Sequence, residues 1–303
     1  YSGRDTFINS HGSYWRAILC LAFETLKGWL DISLEIKSGR CGYSLENPII
    51  SDLNFRLETG EVMANMRPNG CGKTTLLNTI VGINSWQLGQ TLVHGRPLSD
   101  YGPRELWQQL GYVPQARTNV FAYTVMDMVL LGWSAHLGTF GRPGRVDRVS
   151  ARRVLERLEI GHLENRLCNA ISGGELQLVF IARALLAEPK VLFLDEPESH
   201  LDFKKQLIIL GIIERLARED GMICMLNTHF PNHALRIAHK VLLMAPSGDH
   251  QVGLVHDILT EQAVRECFEV DTVFSDIAVN NQIHRALFPV SVATPKSAAG
   301  AAR

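Results

Sequence analysis

The stretch "MRPNGCGKTTLL", residues 66–77, decides how the chain is read. The pattern G-x-x-x-x-G-K-[ST] of a phosphate-binding loop is met at Gly72, Lys73 and Thr74, but Arg67 stands where the first glycine belongs. Before it, "EVMANM" reads as a short strand, with Asn65 an odd guest in a buried one. After it, Leu76, Leu77, Ile80 and Val81 recur at helical spacing, and Gly82 offers a stop. Strand, glycine-rich loop and helix form the context that such a loop requires. The backbone N–H groups of Asn69, Gly70, Cys71, Gly72, Lys73 and Thr74 would face phosphate oxygens at a helix N-terminus, whose dipole favours an anion. Lys73 would add a point charge, and the Thr74 hydroxyl a ligand for Mg2+.

Arg67 raises a question of backbone strain. Glycine tolerates angles that other residues avoid. If position 67 needs a left-handed conformation, Arg67 costs about 1–2 kcal/mol there. Its long side chain is expected to turn to solvent. The expectation is a working but weakened site that Arg67→Gly improves several-fold.

Two further stretches carry chemistry. In "KVLFLDEPES" four apolar residues end in Asp195 and Glu196, so the carboxylates emerge where a buried strand meets a cleft. Asp195 would hold Mg2+, mostly through water, and Glu196 would polarise an attacking water. In "ISGGELQLVFIARALL", Ser172, Gly173 and Gly174 precede an apolar-periodic helix and present a second anion site.

Composition narrows the classes. The 303 residues carry a net charge of −1, so no polyanion-binding surface is indicated. The six cysteines form no C-x-x-C pair and no cluster at metal spacing, which argues against a disulfide framework or a zinc site. No apolar stretch approaches the ~18 residues of a membrane span. "AILCLAF" near the start reads as neither signal peptide nor anchor. Along the chain, "LDISLEI" and "IISDLNFRL" alternate as strands. The stretch from about 116 to 171 is helical in pattern, while "VLFLDE" and "MICML" suit strands covered on both faces.

With these motifs in this order, the chain resembles the ATP-binding cassette (ABC) ATPases over roughly residues 30 to 275. Tyr43 matches the aromatic that stacks on adenine. "RPNGCGKTT", through Thr75, matches the phosphate loop, and Gln115 in "GYVPQ" the glutamine that senses metal and γ-phosphate. "ISGGE", Ser172 to Glu175, matches the signature that meets the partner subunit's ATP. "LFLDEP" matches the acidic strand, with Asp195 on the metal and Glu196 as the catalytic carboxylate. "SHLD", with Asp202, matches the loop that contacts the opposite subunit, and His229 in "LNTHFPNHAL" the switch histidine. A narrower similarity lies in "GYVPQARTNVFAYTVMDMVLLG" and "DEPESHLDF", which look like the importers of iron–siderophore complexes, haem and cobalamin and a related molybdate group.

The resemblance implies an α/β fold of the P-loop NTPase class and ABC type. It has a mixed β-sheet core, an antiparallel β subdomain and an inserted helical subdomain at about 116–171. On that frame, 1–28 is an N-terminal extension, 29–275 the ATPase domain, and 276–303 a C-terminal tail expected to be partly disordered. It also implies an ATP-hydrolysing subunit with ATP and Mg2+ as its ligands. Two copies would close head to tail on ATP and drive two copies of a polytopic membrane permease, served by a substrate-binding protein. Nucleic acid is not an expected partner. The place is peripheral, at the cytoplasmic face of the plasma (inner) membrane. Residues 117–134 are the expected docking surface, with Met126 and Val129 as contacts.

Four positions depart from the family pattern: Asn65, Arg67, Leu176, where a basic or amide residue is usual, and Glu198, where a small or hydroxyl residue is usual. They leave open a cassette of the same complex with attenuated hydrolysis, and, as a more remote alternative, a non-transport ABC ATPase.

Overall fold

The computed structural model describes residues 32–293 except 43, 45, 47, 69–71, 117–121, 137–140, 142, 246 and 281. The expected N-terminal extension therefore lies outside the described residues. β1 (Ser33–Gly42) and β2 (Pro48–Glu58) are followed by β3 (Val62–Met66), which feeds α1 (Lys73–Ile80). β4 (Leu88–Val93), β5 (Arg96–Pro97) and α2 (Pro103–Gln109) lead to β6 (Leu110–Val113). Next come α3 (Val125–Leu130), α4 (Arg145–Arg157) and α5 (Gly173–Leu185), then β7 (Val191–Asp195) and α6 (Phe203–Asp220). The chain continues through β8 (Ile223–Thr228), α7 (Pro231–Ile237), β9 (Lys240–Met244), β10 (His250–Leu254), α8 (Val255–Ile258) and α9 (Glu261–Phe268). A hairpin, β11 (Val270–Val279) and β12 (Gln282–Val292), follows.

The central sheet runs β10-β9-β3-β8-β7-β6 and is parallel except for β10. A separate antiparallel sheet runs β2-β1-β4-β5. Together they form the α/β architecture of P-loop NTPases, with an antiparallel subdomain beside a mixed sheet. β3, β7 and β8 are buried along their whole length, which is why they read as unbroken apolar runs rather than alternating ones.

Successive side chains of a strand point to opposite faces, so each central strand feeds two cores. Cys224 and Leu226 of β8 join Ala64, Leu192 and Leu194 in a core shared with α3 to α6. Ile223 and Met225 join Met63, Phe193 and, from α1, Leu76, Leu77 and Ile80. The same alternation places Asn65, Asp195 and Asn227 on the α1 side, at the C-terminal ends of three neighbouring strands. That edge is where ligands of open parallel sheets bind.

Two expectations are corrected here. Residues 276–292 are not a disordered tail but the second part of β11 and all of β12, and Pro289 sits inside β12 opposite Thr272. The hairpin stands alone as a two-stranded sheet, so β12 is an edge that tolerates a missing N–H. The Asn232 side chain fixes it to α7, accepting from Leu287 N at 2.8 Å and donating to Leu287 O at 3.1 Å. Residues 294–303 lie outside the described residues. Met126 and Val129 are 4% and 0% exposed and pack in the helical core, so they hold the fold and present no docking contact. Tyr123 and Leu131 are the exposed large apolar residues of that stretch, whose residues 117–121 lie outside the described set.

Candidate functional site

Gly72 caps α1 with φ 93°, and a Cβ added there would meet Ile49 Cδ1 at 2.8 Å. Glycine is required at this position by both angle and space. Lys73 and Thr74 then open the helix. Asn69, Gly70 and Cys71, and the expected adenine platform Tyr43, lie outside the described residues, while Thr75 is half-buried on the first turn.

The structure brings Lys73, Gln115 and His229 around Glu196, which follows β7, in one cluster. Lys73 Nζ is 2.7 Å from Glu196 Oε1. Glu196 Oε2 accepts from Ser199 Oγ at 3.0 Å and from Gln115 Nε2 at 3.4 Å, and His229 Nδ1 lies 3.8 Å away. The Glu196 backbone, at φ 47°, turns the carboxylate out of the strand end. His229, Lys73 and Ser199 hold its carboxyl at about 2 against the upward push of burial. The His229 nitrogen is beyond hydrogen-bond reach and has no such partner among the described residues, so the ion pair with Lys73 is the stronger physical cause.

Asp195, largely buried, is approached from both sides. Thr74 Oγ1 donates to Oδ2 at 2.9 Å, Tyr112 OH lies 3.5 Å from the same oxygen, and Asn227 Nδ2 donates to Oδ1 at 2.7 Å. Burial, and then Asp195, push the Tyr112 hydroxyl up to about 12, which leaves it a donor at neutral pH. Thr74 and Asp195 place two hard oxygen atoms together at the head of the loop. That donor set suits Mg2+, which keeps several waters and takes few protein ligands. No group of three or more His, Cys, Asp and Glu residues is placed to hold a metal among the described residues.

The Ser172 end of α5 is a separate feature. Ser172 Oγ accepts from Glu175 N at 3.4 Å and the Glu175 carboxylate accepts from Ser172 N at 2.7 Å, a capping box. Lys205 Nζ donates to Ser172 Oγ at 2.6 Å, and a Cβ at Gly174 would meet Lys205 Cδ at 2.2 Å, so Gly174 makes room for this lysine. Asp202 caps α6 by accepting from Lys205 N at 2.9 Å, so the signature and the Asp202 loop are joined through Lys205. Among the described residues no hydrogen bond joins Ser172 to the Lys73 cluster.

The departures resolve differently from expectation. Arg67 is not among the residues with positive φ, so it carries no left-handed strain. Nor does its side chain reach solvent: it is 5% exposed, and Nε and Nη1 are buried without a hydrogen-bond partner among the described residues. Leu176 is buried in the helical core, which suits its apolar side chain. Glu198, fully buried, accepts from Thr228 Oγ1 and lies 3.5 Å from His233 Nδ1. Asn227, Tyr112, Ser199 and Lys205 were not singled out from the sequence. Only the strand register and the turn after β7 bring them in.

Comparison with known proteins bears on the family of the chain. The family model described as ABC transporter matches residues 50–199. The molybdate import ATP-binding protein MolC of Haemophilus influenzae is 38% identical over 228 residues, covering 75% of this chain and 85% of MolC. The hemin import ATP-binding protein HmuV of Hahella chejuensis is 34% identical, over 75% of this chain and 89% of its own. Among solved structures, a transporter described as of metal-chelate ABC type, in an inward-facing conformation, superposes with a TM-score of 0.77 at 33% identity. That match covers 86% of this chain and 98% of the other.

Proposed function

Because the chain belongs to the ABC transporter family, as an ATP-binding subunit and an ATPase, we propose that it powers import of a metal chelate or a molybdate-type oxyanion. The observation that carries its catalytic part is the contact of Lys73, Gln115, Ser199 and His229 with the single carboxylate of Glu196. Lys73 and the loop amides bind the phosphates. Thr74 and Asp195 would hold Mg2+, and the ion would supply positive charge to offset that of the β- and γ-phosphates. A carboxylate held at about 2 by an ion pair is a weak base. When phosphate takes Lys73, that partner is withdrawn, the Glu196 carboxyl rises and its basicity toward water increases. Gln115 and His229 keep the released carboxylate in place. Ser172 to Glu175 and Asp202 serve the nucleotide of a second copy of the chain.

The substrate class rests on relatives named for import of molybdate, hemin and iron(3+)-hydroxamate. No helix among the described residues is long and apolar enough to cross a membrane. The reading is therefore peripheral attachment to a permease at the cytoplasmic face, with Tyr123 and Leu131 in the docking surface. The test is co-reconstitution in liposomes with its permease and binding protein. ATPase activity should rise when the binding protein is loaded with one of haem, ferric siderophore, cobalamin or molybdate. Stimulation by none of them would remove this substrate class.

A further inference from the structure

Asp195 Oδ1 is satisfied not by the phosphate loop but by a ladder of amides crossing the sheet. Asn227 stands beside Asp195 in the β7–β8 register, and Asn65 beside Asn227 in the β3–β8 register. Asn227 Nδ2 donates to Asp195 Oδ1 at 2.7 Å, and Asn65 Nδ2 donates to Asn227 Oδ1 at 2.7 Å. Asn65 and Asn227 are 0% exposed.

The polarity of the ladder follows from its end. A carboxylate only accepts, so Asn227 must turn its NH2 toward β7 and its carbonyl toward β3. There the Asn65 NH2 meets that carbonyl and opposes a flip of the amide. With Oδ1 engaged, the carboxylate plane is set, and Oδ2 faces Thr74 Oγ1 at 2.9 Å. Asn65 is no simple gain in stability, because its amide satisfies Asn227 Oδ1 while its own Oδ1 is buried without a hydrogen-bond partner among the described residues.

We propose that Asn65 is a positioning residue for the metal-side carboxylate, acting through Asn227 to hold Asp195 oriented toward Thr74. The inference rests on the reading of Thr74 and Asp195 as the Mg2+ site, and the test separates the two. The probe is Mn2+, titrated by electron paramagnetic resonance into the full chain saturated with a non-hydrolysable ATP analogue. Analogue binding without metal and the thermal midpoint are measured alongside. Asn65→Leu should weaken Mn2+ about 3- to 10-fold and leave metal-free analogue binding unchanged while the chain stays folded at the temperature of the titration, a pattern that a purely structural role does not give. In an Asn227→Thr background, a hydroxyl donates to Asp195 without needing a neighbour to fix it. Asn65→Leu should then have no further effect, a coupling that a double-mutant cycle reads directly. Asp195→Ala is the control: Mn2+ affinity unaffected by it would sink the metal-site reading itself. Loss in Asp195→Ala with wild-type Mn2+ affinity in Asn65→Leu would overturn the ladder alone, as would equal effects of Asn65→Leu in both backgrounds.

Discussion

Asn65 and Arg67 sit almost side by side at the entrance to the phosphate loop, and both are polar where the family pattern is not. Both are buried, at 0% and 5% exposure. Asn65 lies inside β3, where the register supplies Asn227 as a partner. Arg67 lies one residue past the strand, where no register applies, and two of its guanidinium nitrogens are buried without a hydrogen-bond partner among the described residues. A buried polar group is tolerated when a neighbouring strand presents a complementary atom at the same level, and costs free energy when none does. Glu198 falls between the two, with one oxygen partnered and the other without a partner among the described residues.

The largest effect that tests this contrast is on stability. Arg67→Met should raise the unfolding free energy of the nucleotide-free chain by about 1–4 kcal/mol, read as a higher urea midpoint at unchanged slope. Asn65→Leu, which loses one good hydrogen bond and leaves Asn227 Oδ1 as the unsatisfied carbonyl in place of its own, should lower stability by about 1–3 kcal/mol. A fall in stability for Arg67→Met would erase the distinction between the two positions. Arg67→Gly should gain less than Arg67→Met, because glycine adds backbone entropy to the unfolded chain.

A smaller effect probes the partnered cluster by pH. Glu196 is lowered from 4.5 to about 2, so its pairing stabilises the fold fully above 4.5, and that contribution is lost as pH falls from 4.5 toward 2. The loss should be about 1–2 kcal/mol, less than the full shift implies because water reaches part of the carboxyl. Glu196→Gln should flatten the stability profile in that window, and an unchanged slope there would show that the ion pair contributes nothing. The smallest effect is expected at the surface. Leu131→Glu should reduce recovery with permease-containing membranes several-fold while ATP binding stays intact. Equal loss of both would return Leu131 to a packing role.

The sequence shows β3, α1, β7 and β8 because each is an apolar run long enough to bury, bounded by glycine or acid. The Lys73–Glu196 and Thr74–Asp195 contacts follow once those elements lie in one parallel sheet, since both loops leave its C-terminal edge. Register is another matter. Nothing in "EVMANM" or "MICMLNT" says that Asn65 and Asn227 face one another, because pairing depends on how far each strand slides. The hairpin is missed for a related reason: its outward residues Val273, Phe288, Val290 and Val292 are apolar and exposed, so no inside-outside alternation marks it. Arg67 is misjudged because a long charged side chain ordinarily turns to water. Here the backbone at the strand end aims it inward.

The central claim is that this chain hydrolyses ATP with the carboxylate of Glu196 once phosphate has drawn Lys73 away from it. The most direct measurement compares turnover and ATP affinity of Glu196→Gln with wild type in one preparation of the assembled complex. The account predicts turnover lower by about 100-fold or more, with ATP bound at least as tightly because Lys73 no longer has to leave a carboxylate. Unchanged turnover would contradict it, and so would ATP affinity falling in step with turnover.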